Sequence, residues 1–418
     1  MKLSEELAWR GFVNQTTYKD ATALDGDPIT FYWGVDPSAS SMQIGNFAAA
    51  MMVKHLVKAG HRAVLLVGGA TGMIGDPDGK NDERSLKTLD EIAHNKTGIS
   101  AQYTKIFEGY DFDIVDNYDW FKTINYVDFL RDIGKHVPMS QMLGREFVQS
   151  RLGESGSGIS YAEFSYSLIQ AYDFLHLNET YGVTLQVCGA DQWGNSIAGV
   201  DLVRRTSGRE VNVWSTPLVI NKATGIKFGK SESGAIWLDP NKTSPAQFYQ
   251  FWINCDDEGI EEYMKIYTEL SQPEITEILA EHSENRQQRY AQRRLAQEVT
   301  ALVHGEIDMR FAETVTEYLT GRQTIADAGE TALAVLRQEI PSITLMERES
   351  SVIEALVATG LASSNSDARR LLTSNAVSVN GVKITNETFA ASDFRADRLL
   401  LRRGKAFKDS ALVEYSGN

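Results

Sequence analysis

Short apolar runs alternate with longer stretches of helical period along the first half of the chain. Thr30–Val35 (TFYWGV) is rich in β-formers and ends in Asp36-Pro37-Ser38. Helical spacing follows over about 45–59, and then comes an unbroken apolar run at 63–67 (AVLLV). Such a run suits a strand buried on both faces of a parallel sheet. Strand, helix, strand in this order predicts a βαβ unit. A second unit is predicted at about 183–219: an apolar run at 183–188, the polar turn Gly189-Ala190-Asp191-Gln192-Trp193-Gly194-Asn195, and helix-like sequence at 197–205. The polar turn sits at the carboxyl end of a strand, where open parallel sheets bind ligands.

Between the two units, 85–150 reads as largely helical and carries Tyr118, Trp120, Phe121, Tyr126 and Phe129, as a lid, an insertion or a subunit interface would. Just beyond it, Tyr166, Gln170 and Asp173 fall at i, i+4 and i+7 of an otherwise mostly apolar segment. On a helix these positions share one face, so a phenol, an amide and a carboxylate point together. A carboxylate among apolar neighbours needs a donor from the protein or from a ligand. From 244 to about 321 the pattern is helical with charge-rich stretches such as 284–294, and 321–349 reads as a connector. The remainder mixes a helix pair (352–361 and 366–372) with short strands around 377–382 and 399–402. Asn380-Gly381 between alternating residues predicts a hairpin turn.

The chain has 418 residues, of which 42% are hydrophobic, enough for two or three domains and incompatible with a disordered chain. Its net charge of −15 argues against a protein that coats nucleic acid non-specifically. The last 68 residues, in contrast, carry a surplus of two positive charges, which sets them apart as a module for an anionic partner. The two cysteines, Cys188 and Cys255, lack metal-ligand spacing and suggest a reducing cytoplasm. No apolar run reaches the length of a membrane span, and the opening MKLSEELAW reads as an acidic helix start and not as a signal peptide.

Phosphate chemistry is suggested by Lys227-Phe228-Gly229-Lys230-Ser231, where two lysines three apart flank a glycine and can close over a polyphosphate. The glycine-rich run at 68–75 does not fit the dinucleotide fingerprint, and no Walker-type phosphate loop is present.

Taken in order, Tyr32-Trp33-Gly34-Val35-Asp36-Pro37-Ser38, 68–77, Asn117-Tyr118-Asp119-Trp120, 163–174, 189–195 and 227–231 resemble the blocks of a bacterial-type tyrosyl-tRNA synthetase, a class I aminoacyl-tRNA synthetase. The resemblance runs through nearly the whole chain. It implies an α/β, Rossmann-like parallel-sheet catalytic domain at 1–240 with a helical insertion at about 85–150. An α-helical domain on the tRNA anticodon side (241–325), a linker (326–350) and a small α+β, αL-type RNA-binding domain (351–418) would follow. Its implied activity joins L-tyrosine to tRNA(Tyr) with ATP as substrate, magnesium arriving with the ATP and no tightly bound cofactor. A cytoplasmic homodimer, without membrane attachment, is also implied.

Residue roles follow the matching positions. Tyr32 and Asp173 correspond to the pair that holds the substrate phenol; Asp76, Tyr166 and Gln170 to the ammonium cradle; Gln192 to the carboxylate contact. Gly34, Asp36, Gly45, Asn46, Gly189, Asp191, Leu218, Val219, Lys230 and Ser231 correspond to the ATP site. Lys227, Lys230, Gln43 and Ser38 would serve the phosphates during catalysis, with Lys80 and Arg84 as helpers. No protein metal site is implied. The family's usual histidine at the start of the first helix is replaced in Gln43-Ile44-Gly45-Asn46. Glutamine donates hydrogen bonds but carries no charge. Charge stabilisation is therefore expected to shift to Lys227 and Lys230, with no histidine-like step near pH ~6.5 from this position. Trp33 stands where many relatives have a small residue and is assigned no role. Two other readings are a tryptophan-specific relative, disfavoured because Tyr32 and Asp173 suit a phenol, and an RNA-binding paralogue without catalysis, disfavoured by intact Lys227, Lys230, Asp191 and Asp173.

Overall fold

The structure, a computed structural model, describes residues 1–77, 86–152, 158–231, 234–404 and 409–417, with the main chain alone at 146, 147, 230 and 231. The chain divides into two compact units, 1–239 with 255–291, and 240–254 with 292–418.

The first unit is built on a six-stranded sheet. Its strands are β1 (Gln15–Thr16), β2 (Thr30–Val35), β3 (Arg62–Val67), β4 (Phe112–Asp116), β5 (Val183–Gly189) and β6 (Asn212–Thr216), in the spatial order β1-β6-β5-β2-β3-β4. Pairings from β6 to β4 are all parallel, and only the short edge strand β1 runs antiparallel. Both expected βαβ units are present, with helices Ile44–Lys58 and Trp193–Ser207 as their crossovers. The order reverses between β2 and β5, so their carboxyl ends open a crevice. One face of the sheet buries Tyr32, Val64, Leu66, Cys188 and Val213 against Leu168, Ala171, Phe174, Leu202 and Val203 of helices Tyr161–Tyr181 and Trp193–Ser207. On the other, Trp33 packs against Tyr103 of helix Leu89–Ile106 with ring centroids 5.4 Å apart. Trp33 is thus a core residue.

The segment 85–150 is not purely a helical insertion. Beyond helix Leu89–Ile106 it supplies β4, a full member of the sheet in register with β3 from Ala63↔Phe112 to Val67↔Asp116. Phe112-Asp113-Ile114-Val115-Asp116 breaks strict alternation at Ile114-Val115 and is half-exposed, as an edge strand is, so its weak signal is masked by the helical sequence on either side. Residues 255–291 also belong to this unit and not to a separate helical domain. Arg10 of the first helix donates to the carbonyls of Lys265, Thr268 and Leu270 at 2.8, 3.0 and 2.7 Å, tying that segment down.

The second unit joins helices Pro245–Ile253, Glu306–Thr320 and Glu330–Glu339 with a five-stranded sheet. That sheet comprises β9 (Ser342–Leu345), β10 (Val377–Val379), β11 (Val382–Lys383), β12 (Arg398–Arg403) and β13 (Ser410–Tyr415), ordered β11-β10-β12-β13-β9, while β7 (Lys230–Ser231) and β8 (Gly234–Ala235) form a separate two-stranded ribbon. The stretch 326–350, expected as a linker, holds a helix and β9, which pairs parallel with β13. Helices Val352–Ala358 and Asn365–Thr373 match the expected pair and pack on the sheet through Val352, Leu356, Ala368 and Leu372. Asn380 and Gly381 turn the hairpin with φ of 48° and 83°, the doubly left-handed conformation of a tight two-residue loop. Among the described residues, no helix is long and apolar enough to cross a membrane.

Candidate functional site

Two elements carry the polar groups that meet at the carboxyl edge of the first sheet. From β2 come Tyr32, Gly34 and, one residue past its end, Asp36; from helix Tyr161–Tyr181 come Tyr166, Gln170 and Asp173. That helix starts where Ser160 accepts from Glu163 N at 3.3 Å and stops at Gly182 in the left-handed conformation. Its first turn is pinned by a two-pronged ion pair in which Arg151 donates to both oxygens of Glu163 at 2.9 Å, both residues being buried.

Asp173 is 2% exposed. Oδ1 accepts from Trp120 Nε1 at 2.9 Å and Oδ2 from Asn117 Nδ2 at 3.1 Å. Burial raises its pKa well above the usual carboxylate range; the Asn117 and Trp120 hydrogen bonds oppose this, and the negative charges of Asp36 and Asp116 reinforce it. Tyr32 lies beside it, and burial followed by the Asp173 charge pushes its phenol well above 10.0. Among the described residues the Tyr32 hydroxyl is buried with no hydrogen-bond partner, as are the side-chain oxygens of Gln170 and of Gln186, the neighbour of Tyr32 across β2 and β5. Buried polar atoms are normally paired. The Tyr32 hydroxyl beside the Asp173 carboxylate, with Gln186 next to Tyr32 in the sheet, fits a surface shaped for a polar ligand.

Asp36 anchors the other end. Its Oδ2 accepts from Tyr166 Oη at 2.7 Å and its Oδ1 from Thr71 Oγ1 at 2.6 Å. Thr71 in turn accepts from Asn117 Nδ2 at 3.1 Å, so Tyr166, Asp36, Thr71, Asn117 and Asp173 form one continuous hydrogen-bonded chain. Gly68 makes it possible: a Cβ there would stand 2.1 Å from Asp36 Oδ1 and 2.3 Å from Thr71 Oγ1. The glycine-rich run is thus a close-packing device between the ends of β2 and β3. Asp76, on the segment leaving that run, accepts from Gln192 Nε2 at 2.5 Å. Gln192 Oε1 accepts from Asn195 Nδ2 at 3.1 Å, and Asn195 Oδ1 accepts from Arg145 Nη1 at 2.5 Å.

At the expected phosphate end, Asp36 and Ser38 line a small pocket with Gly72, Met73, Ile74, Gly75 and Lys87. Gly45 is exposed, and the space a Cβ would occupy there is open. Asn46 Oδ1 accepts from Gln43 N at 3.0 Å, leaving its amide NH₂ for another acceptor. The lysine loop folds back on this turn. Phe228 N donates to Val219 O at 2.9 Å beside the exposed Leu218, and Phe228 stacks on Tyr263 at 4.1 Å. Lys227 Nζ lies 3.5 Å from Asp191 Oδ2, on the turn that follows Gly189. Lys230 and Ser231 form strand β7 (Lys230–Ser231), paired antiparallel with β8 (Gly234–Ala235). Lys80 and Arg84 lie outside the described residues.

Tyr32, Asp173, Tyr166, Asp76 and Gln192, expected around tyrosine, are therefore brought together, and of the residues expected around ATP, Asp36 joins them directly while Lys227 meets Asp191 beside Gln192. Gln186, Lys87 and Arg145 were not foreseen there, while Thr71 and Asn195 lay in recognised blocks without an assigned role. Asn117 and Trp120 fell in a recognised block without a role; a buried asparagine and an indole just after a strand were the available signal.

The family described as tRNA synthetases class I (W and Y) matches residues 24–320, and the C-terminal domain described as Tyrosine--tRNA ligase SYY-like matches 332–408. A curated tyrosine–tRNA ligase of Dechloromonas aromatica is 45% identical, covering 99% of each chain. This chain belongs to the tyrosine–tRNA ligases. The ligase of Geobacillus kaustophilus is 41% identical over the full length of both chains. A C-terminally truncated mitochondrial tyrosyl-tRNA synthetase of Aspergillus nidulans superposes with a TM-score of 0.69 at 29% identity, covering 76% of this chain and 94% of that one. As a tyrosine–tRNA ligase, the protein is an enzyme that activates tyrosine and transfers it to tRNA.

Proposed function

We propose that tyrosine lies along the hydrogen-bonded chain, its phenol between Tyr32 and Asp173 and its ammonium among Asp76, Tyr166 and Gln170. The single observation behind this orientation is the buried, unpartnered Tyr32 hydroxyl beside a carboxylate that holds only Asn117 and Trp120. A phenol satisfies both groups. Phenylalanine leaves the Tyr32 hydroxyl unpaired and brings Asp173 no further donor, and an indole supplies a donor but no acceptor. Gln192 meets the tyrosine carboxylate, which attacks the α-phosphorus of ATP and expels pyrophosphate. The 3′-terminal ribose hydroxyl of tRNA then attacks the carbonyl of tyrosyl-adenylate, and AMP leaves.

Gly34, Gly45, Asn46, Gly189, Asp191, Leu218 and Val219 hold the nucleotide, with Asp36 and Ser38 at its phosphate end. Lys227, Lys230 and Ser231 stabilise the leaving pyrophosphate by position and charge. Gln43 contributes as a neutral donor. Magnesium arrives with the ATP, as part of the substrate. In the second unit, Arg369 and Arg370 on helix Asn365–Thr373 face solvent and suit RNA backbone. The exposed Tyr126, Val127, Met139 and Tyr161 suit an interface between two copies in the cytoplasm.

Amino-acid-dependent ATP–pyrophosphate exchange with tyrosine, tryptophan and phenylalanine side by side tests the reading. Exchange with tyrosine alone supports it, whereas equal exchange with tryptophan refutes the phenol assignment.

A further inference from the structure

We infer that Arg145 is a positioning residue for the tyrosine site, setting the donor face of Gln192 through Asn195. The inference rests on the reading that Gln192 meets the substrate carboxylate.

A side-chain amide has a donor end and an acceptor end of nearly the same shape, so an isolated glutamine can present either. The row Arg145, Asn195, Gln192, Asp76 removes that freedom. A guanidinium only donates, so the end of Asn195 that meets Arg145 at 2.5 Å is its oxygen. Asn195 therefore turns its NH₂ to Gln192 Oε1 at 3.1 Å, and Gln192 turns its own NH₂ outward, to Asp76 at 2.5 Å. Arg145 also donates to the carbonyl of Gly194 at 2.6 Å, which seats the guanidinium on the same turn. Asn195 is 4% exposed, so an unpaired end has no water to turn to. When the substrate ammonium occupies Asp76, the acceptor that holds Gln192 from the far side is engaged elsewhere. Arg145 is then the group that keeps an NH₂, and not an oxygen, facing the incoming carboxylate.

The test is tRNA-free ATP–pyrophosphate exchange on the full chain. Arg145→Met should lower kcat/KM for tyrosine by about tenfold or more, with KM for ATP unchanged within about twofold and Arg145→Lys recovering part of the loss. Asn195→Asp, which still accepts from Arg145 but no longer donates to Gln192, should lose as much. Combining Arg145→Met with Asn195→Asp should cost no more than either alone. Thermal melts of each variant separate unfolding from misorientation. If Gln192→Ala impairs tyrosine use while Arg145→Met and Asn195→Asp do not, or if their losses add, the relay is refuted and the site reading stands. If Gln192→Ala leaves tyrosine kinetics intact, the site reading itself fails.

Discussion

Asn117 donates its side-chain N–H to Oδ2 of Asp173 at 3.1 Å, and neither residue meets solvent appreciably, at 0% and 2% exposure. A carboxylate in such a place stays ionised only as far as its donors hold it so. Removing Asn117 as Asn117→Ala should raise the Asp173 pKa further, because burial, the larger effect, is then less opposed. A hydrogen bond to a charged group contributes about 1.5–3 kcal/mol. We expect kcat/KM for tyrosine to fall roughly 10- to 100-fold by the same estimate, with the acid limb of its pH profile moving to higher pH. An unchanged acid limb would show that Asp173 is not ionised when tyrosine binds.

Tyr32→Phe separates stability from function. Its hydroxyl is buried without a partner in the free protein, so removing it should leave the thermal midpoint unchanged or raise stability by up to about 1 kcal/mol. Discrimination between tyrosine and phenylalanine in the exchange assay should nevertheless drop. A variant that melts markedly lower would mean the hydroxyl has a structural partner.

Arg151 and Glu163 form a buried pair at the start of the helix that carries Tyr166, Gln170 and Asp173. Glu163→Gln removes the negative partner of a buried guanidinium and should cost about 3–5 kcal/mol. The first transition in urea should move to lower concentration. Arg151→Met combined with Glu163→Met should recover much of that loss, since no buried charge then remains; a double variant worse than Glu163→Gln would contradict this.

His55 has its pKa lowered to about 4, mainly by burial and then by Arg10, against the opposing pull of Glu6. Between about 4 and 6.5 the unfolded chain therefore binds more protons than the native one, and stability rises with pH. The contribution is complete above 6.5 and lost as pH falls toward 4, amounting to about 3 kcal/mol by linkage. Urea unfolding of His55→Gln from pH 7 to 4 should show a flatter dependence than the parent chain. Parallel slopes would indicate that His55 titrates in the native state as it does in the unfolded chain.

Much of this site was legible because its pieces are periodic. Tyr166, Gln170 and Asp173 share a helical face whatever the helix packs against, and the two βαβ units announce themselves by short strand-like runs, unbroken and apolar only at 63–67, set around helical sequence. β4 was not legible, because five residues of weak alternation cannot compete with helical sequence on both sides. β9 was missed for a related reason: its half-exposed Ser342–Leu345 gains its identity from β13, some 70 residues later. The same holds for Arg145 and Gln186. Each is an ordinary residue in its own segment, and only tertiary proximity gives it chemistry.

Gly229 lies between the two lysines at φ 92°, and a Cβ there would stand 3.2 Å from Ile44 Cβ, beside Gly45. The height of the lysine loop above the first crossover helix is thus set by a missing side chain, with the loop main chain resting directly on the helix start. Gly229 acts as a spacer of zero thickness. The main-chain path between the two lysines depends on an uncharged residue, since any side chain at that position would be strained at its positive φ and would press Ile44 or the loop aside by a few tenths of an ångström.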